Sequence, residues 1–148
     1  MFSRTGEYAL RAMIHLARHE ADWPVSGPRI ARETDIPPKY LSAILGTLVR
    51  TGVLDATRGK RGGFRMTMPA DETSLLRVLE PFETRLLGKD TDGLFDHDST
   101  GHGDTGSVQE RWDALRQSFL SFLRDTTVGE VAEQDTPSLA FSRASDPA

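Results

Sequence analysis

A six-residue insert of three cations and three glycines, Arg58-Gly59-Lys60-Arg61-Gly62-Gly63, sits between two short strand-like runs, Val53 to Thr57 and Phe64 to Met68. Alternating runs on either side of a glycine-rich break predict an antiparallel β-hairpin. Glycine supplies the positive-φ backbone that a tight turn requires. The hairpin would carry Arg58, Lys60 and Arg61 at its tip.

What precedes this hairpin narrows the fold further. Residues 3–20 read as a first helix, with Ser3 or Thr5 as cap and Leu10, Met13, Ile14 and Ala17 at helical spacing. The segment Asp22 to Val25, containing Trp23-Pro24, breaks it. Ser26 can cap a second helix over 27–34, with Pro28 tolerated in the first turn and Ile30 and Ala31 facing inward. Thr34-Asp35-Ile36-Pro37 reads as a turn. A third helix runs from Pro38 to Arg50, with Leu41, Ile44, Leu45 and Leu48 at i, i+3, i+4 and i+7 forming a core stripe. Gly52 follows as a stop signal.

The opposite face of the third helix shows Lys39, Ser42, Ala43, Gly46, Thr47 and Arg50, mostly small side chains whose only charges are positive. Helix, helix, turn, helix and basic hairpin is the order of a winged helix-turn-helix: mainly α, with a small β-hairpin wing. Such a helix fits the major groove of duplex DNA. Gly46 costs about 1 kcal/mol in a helix interior, which suggests a packing or a docking reason for it. Lys39 and Arg50 can reach phosphates, and Arg58, Lys60 and Arg61 can reach phosphates or the minor groove. Ser26 and Arg29 on the second helix, and Pro38 and Tyr40 at the start of the third, complete the candidate contacts. Taken singly, the three helices could be an ordinary helical hairpin and the basic tip a solvated turn; their order favours DNA.

The charge distribution agrees. A net charge of −4 conceals eleven Lys/Arg and six Asp/Glu in residues 1–68, against seven and sixteen in residues 69–148. A basic first part suits a phosphate-binding module. Beyond it, Ser74 to Leu79 predicts a short helix capped by Thr73 and ended by Pro81. Residues 88–107 are rich in Gly, Asp, Ser and Thr and predict a mobile loop. Over 107–126, Val108, Trp112, Leu115, Phe119 and Phe122 step by four and three, a heptad-like seam about 30 Å long suited to dimerisation. Residues 128–134 can add a helical turn, and the tail from Gln134 predicts disorder. The expected organisation is a DNA-binding region at 2–68, a linker helix, acidic loop and dimerisation helix at 69–132, and a tail at 134–148.

Several function classes are excluded. The chain has no cysteine, which removes disulfides, thiol catalysis, thiolate zinc sites and cysteine-ligated iron–sulfur clusters. It has no apolar run near eighteen residues and no secretory signal, so a cytoplasmic location without a membrane span is expected. It shows no nucleophile elbow, phosphate-cradling loop or paired acids on a rigid element, so it does not read as an enzyme. Asp96-His97-Asp98, His102-Gly103-Asp104 and Asp90-Thr91-Asp92-Gly93 match no strong metal motif and read as a solvated acidic loop. His15 and His19 have the metal-capable i, i+4 spacing but read as partly exposed surface. No cofactor or metal is assigned.

Three segments resemble one family. Ser3-Arg4-Thr5-Gly6-Glu7-Tyr8-Ala9-Leu10-Arg11 is similar to the first helix of Rrf2-type regulators. So is Ile36-Pro37-Pro38-Lys39-Tyr40-Leu41, followed by Leu45 to Leu48 and Thr51-Gly52-Val53. Thr57-Arg58-Gly59-Lys60-Arg61-Gly62-Gly63-Phe64 resembles the family's wing. The resemblance runs from residue 2 to about 132. It implies a homodimer with a winged helix-turn-helix and a long C-terminal dimerisation helix, which binds a palindromic operator, mostly as a repressor. It implies that Pro38 to Thr47 enter the major groove and that Arg58 leads the wing contacts. It also implies, for many members, an iron–sulfur cluster on three cysteines before the dimer helix. The corresponding loop here has none, and Glu7, near a further ligand position of some members, reads as an acid at a helix N-terminus. The chain resembles cysteine-free members, and the resemblance assigns it no effector. The alternative reading is a winged-helix module that binds a protein and is controlled by that partner or by a small ligand.

Overall fold

The computed structural model describes residues 2–88 and 106–134. Most of the expected loop, with Asp90 to Gly93, Asp96 to Asp98 and His102 to Asp104, lies outside the described residues, as does the tail beyond Gln134.

Helix α1, Arg4–Arg18, starts where the Ser3 hydroxyl accepts from the Gly6 N–H at 3.1 Å. It is buried on more than the stripe read from the sequence. Ala9, Ala12, Met13 and Leu16 are fully buried, while Leu10 and Ala17 are only partly so. The reason is position: other helices pack against several sides of α1, so its apolar neighbours lie on more than one face. A 3-10 turn at Glu20–Asp22 follows. Helix α2, Gly27–Thr34, is capped by Ser26, whose Oγ accepts from the Arg29 N–H at 3.3 Å. Asp35, at φ 58°, turns the chain in the left-handed region that Asp tolerates. Helix α3, Pro38–Arg50, buries Leu41, Ile44, Leu45 and Leu48, the stripe expected.

The hairpin comprises β1, Leu54–Thr57, and β2, Gly63–Met66, paired antiparallel with Leu54 opposite Met66 and Thr57 opposite Gly63. Each strand is one residue shorter than the alternation suggested, and β2 begins at Gly63, one residue before the expected Phe64. The segment read as a break between helices has a second role: Val25 and Phe64 exchange backbone hydrogen bonds of 3.0 and 2.8 Å, fastening the wing to the residue before the α2 cap. Gly63 lies so close to this segment that a Cβ there would collide with the Val25 carbonyl.

Helix α4, Leu75–Leu79, is capped by Ser74 rather than Thr73. The Ser74 Oγ accepts from the Arg77 N–H at 3.2 Å, whereas the Thr73 hydroxyl donates back to the Pro69 carbonyl at 3.0 Å. Helix α5, Gly106–Asp125, is the long helix expected, and α6, Val128–Glu133, follows at once. Thr127 and Glu130 form a reciprocal capping box at its start, a Thr-x-x-Glu signal present in the sequence. Among the described residues the fold is mainly α with one two-stranded sheet, as expected for a winged helix-turn-helix.

One hydrophobic core runs through both charge regions. It joins Ala9, Leu16, Ile30, Leu45 and Leu54 to Leu75, Leu79, Leu123 and Val128. Buried Glu83 reinforces the joint: its Oε1 accepts from the Ser3 N–H at 2.6 Å and the Ser3 hydroxyl at 2.8 Å. A carboxylate there meets the positive end of the α1 dipole.

Candidate nucleic-acid interface

Because α3 turns its four branched aliphatic side chains inward, the register of the helix fixes what faces water. Pro38, Lys39, Tyr40, Ser42, Ala43 and Arg50 are exposed and Thr47 is half-buried. Tyr40 is 64% exposed, an aromatic ring with no place in the core. The start of α3 is also bare. Pro37 occupies the cap position and no side chain caps the helix. Unsatisfied first-turn N–H groups, with the dipole behind them, form an anion-binding end.

Further along, the Arg50 guanidinium donates to the Thr47 hydroxyl at 2.9 Å, and that hydroxyl donates to the Ala43 carbonyl at 3.1 Å. Arg50 therefore lies along the helix beside Gly46. A Cβ added at Gly46 would meet only the Arg50 Nη1, at 3.7 Å, an ordinary contact. Among the described residues nothing requires glycine there.

On the wing, Arg58, Lys60 and Arg61 are exposed, and among the described residues none has a hydrogen bond or ion pair. The turn is closed by the Gly62 N–H donating to the Gly59 carbonyl at 3.0 Å, with Gly59 at φ 106°. Lower on the hairpin Arg65 faces Asp55 at 3.6 Å, so its charge is partly answered. Strand β1 packs on α3, and Phe64 lies near Gly27 at the start of α2.

Arg29 differs from the other candidate cations. Its guanidinium pairs with Asp22 at 2.9 Å and Glu33 at 2.8 Å. The hydrogen bond from Arg29 holds the Glu33 carboxyl below its ordinary pKa, and the bonds to Glu33 and Asp22 raise that of Arg29. To reach a phosphate it would have to leave two carboxylates. Ser26 is half-buried, its oxygen engaged as the α2 cap.

The seam on α5 divides in two. Val108, Trp112, Leu115 and Phe122 are 58%, 43%, 61% and 54% exposed, an apolar row without cover among the described residues. Phe119 is half-buried, its ring 5.9 Å from that of Phe2. The residue that anchors α5 in the core is Leu123, fully buried and outside the seam read from the sequence.

The family model for Rrf2, described as an iron-dependent transcriptional regulator, matches residues 2–134. The chain belongs to the Rrf2 family. An HTH-type transcriptional regulator of Mycobacterium tuberculosis is 33% identical over 144 residues, covering 97% of this chain and 88% of that protein. The HTH-type transcriptional regulator IscR of Cereibacter sphaeroides is 24% identical over 135 residues, covering 90% and 87%. Among solved structures, CymR of Staphylococcus aureus is 27% identical with a TM-score of 0.71, covering 90% of this chain and 99% of that one. CymR of B. subtilis, a global cysteine regulator, shares the fold at a TM-score of 0.75 and 22% identity, covering 91% and 98%. This Rrf2 protein is thus a DNA-binding transcriptional regulator, and its relatives are regulators rather than enzymes. Among the described residues no helix is long and apolar enough to cross a membrane.

Proposed function

We propose that this Rrf2 protein is a homodimeric, sequence-specific repressor that acts in the cytoplasm on a palindromic operator. Residues 38–47 of α3 enter the major groove, with Lys39, Tyr40, Ser42 and Ala43 nearest the base edges. Thr47 and Arg50 follow along the helix, Ser26 flanks it, and Arg58, Lys60 and Arg61 take phosphates or the minor groove. Arg29 joins them only by exchanging Asp22 and Glu33 for DNA. The apolar row on α5 meets its copy in a second chain, and the two winged helices then read two half-sites.

The observation that carries this reading is the exposed face of α3, cationic and mostly small apart from the Tyr40 ring, over a fully apolar buried face, beside a wing whose three cations are unpaired among the described residues.

The family's iron–sulfur cluster does not fit this chain. There is no cysteine to supply a thiolate, and Glu7 is an exposed acid in the first turn of α1. Sensing here therefore proceeds without a cysteine-ligated cluster.

The test is retardation of promoter fragments, selected by genome-wide footprinting, with purified protein. Arg58→Ala is expected to weaken binding, and constitutive expression of the footprinted genes in a deletion strain is expected of a repressor. Unchanged affinity in Arg58→Ala would remove the wing from the interface.

A further inference from the structure

The sequence places His15 and His19 one turn apart on α1; the fold adds a third group. Glu33 on α2 comes beside them, so that one ligand atom from each of His15, His19 and Glu33 lies within 4.8 Å of the others. We propose that these three side chains form a binding site for a divalent transition metal of the zinc class, bridging α1 to α2.

His19 and Glu33 are oriented as metal ligands would be. The His19 Nδ1 lies 2.8 Å from the His15 carbonyl oxygen, which can only accept, so the proton is on Nδ1 and Nε2 keeps a lone pair. A ring N–H given to a backbone carbonyl is the usual support behind a ligating histidine. The Glu33 Oε1 is held by the Arg29 Nε at 2.8 Å, while Oε2 faces the His15 Nε2 at 2.9 Å. Arg29 thus steadies the carboxylate from behind, although its Nε also approaches Oε2 at 3.2 Å.

His15 is held by packing: its side chain is only 9% exposed, which fixes the imidazole with Nε2 toward Glu33. Its Nδ1 lies on the other side of the ring, buried and without a hydrogen-bond partner among the described residues. The two imidazoles stack with centroids 4.2 Å apart. Tetrahedral ligand bonds of about 2.0–2.2 Å set the donor atoms about 3.4 Å apart, so the wider gaps, up to 4.8 Å, must close while the 2.9 Å His15–Glu33 pair opens slightly, movements the solvent-accessible Glu33 and half-buried His19 can make by side-chain rotation. Two imidazoles and one carboxylate suit zinc, cobalt, nickel or copper rather than calcium or magnesium. None of the three ligands is a proposed DNA contact, and the site stands whether or not the chain binds DNA; Arg29, which steadies Glu33, is the one supporting residue also named among those contacts.

The experiment is equilibrium dialysis of the full-length, tag-free protein against Co2+ and Zn2+, with the visible absorption of bound Co2+ as a second readout. The chain's other two histidines, His97 and His102, provide the control. One equivalent of metal is expected in the wild type and in His97→Gln/His102→Gln. His19→Gln and Glu33→Gln should each weaken binding by at least about tenfold, with circular dichroism showing both folded. The proposal is overturned if the wild type takes up no stoichiometric metal, if His19→Gln and Glu33→Gln bind as the wild type does, or if only His97→Gln/His102→Gln loses the metal.

Discussion

Helix α3 buries Leu41, Ile44, Leu45 and Leu48 and leaves Lys39, Ser42, Ala43 and Arg50 in water; helix α5 buries Leu123 and leaves Val108, Trp112, Leu115 and Phe122 there. The two helices of one chain therefore expose opposite chemistries. A small, cationic surface gains nothing by covering itself with protein but can follow a phosphate backbone closely. A row of large apolar side chains gains by leaving water, each contributing roughly 1.5–3 kcal/mol on full burial. A single apolar residue on a surface is ordinary, while a continuous row marks an interaction face. The contrast between the two faces supports the proposal that α3 is completed by DNA and α5 by a second copy of the chain.

The largest expected effect breaks the comparison on its α5 side. Leu115→Glu/Phe122→Glu places two carboxylates in the proposed dimer seam, and self-association should weaken by roughly a hundredfold or more. Sedimentation equilibrium should show a folded monomer, because both positions are largely exposed in the single chain. A variant that remains dimeric would place the interface elsewhere.

On the α3 side, Arg58→Ala/Lys60→Ala/Arg61→Ala should leave folding intact and lower the slope of log K against log salt by about one for each phosphate no longer neutralised. Fluorescence anisotropy with a labelled operator, repeated at several salt concentrations, measures that slope. An affinity reduced equally at every salt concentration would mean that these cations do not act on phosphates.

Glu83 tests the joint between the regions. Glu83→Ala removes two hydrogen bonds to Ser3 from a buried carboxylate at the α1 N-terminus. The expected loss is about 1.5–3 kcal/mol for each bond to a charged group, read as a lower urea midpoint. A change within a few tenths of a kcal/mol would show that the Ser3–Glu83 pairing is not maintained in solution.

The smallest effect sharpens the comparison. Gly46→Ala should stabilise the fold by up to about 1 kcal/mol, since alanine is the better helix former and the added Cβ meets only Arg50. The same change should weaken operator binding. Higher stability with undiminished affinity would remove close approach as the reason for that glycine.

Much of the candidate interface's framework was legible because it rests on local rules. The α3 stripe, the Ser26 cap, the Asp35 turn and the glycine-rich wing follow from periodicity and turn chemistry, and all occur where the sequence puts them. Long-range relations were not legible. No local pattern shows that Val25 pairs with Phe64, that Glu83 reaches Ser3, or that Asp22 and Glu33 hold Arg29. The α5 heptad was visible, but Leu123 was not separable from its apolar neighbours, because which of several faces meets the core depends on the packing of α4 and Phe2. The Thr127 capping box and the Ser74 cap were locally written and could have been found from the Ser/Thr spacing alone.

The most direct measurement is the binding of full-length protein to genomic duplex fragments as salt is raised from low to physiological concentration. The fold and charge described here predict specific retention of a small set of promoter fragments, with log K falling linearly against log salt. No retained fragment at low salt, or binding indifferent to salt, would contradict a winged helix that works on duplex DNA.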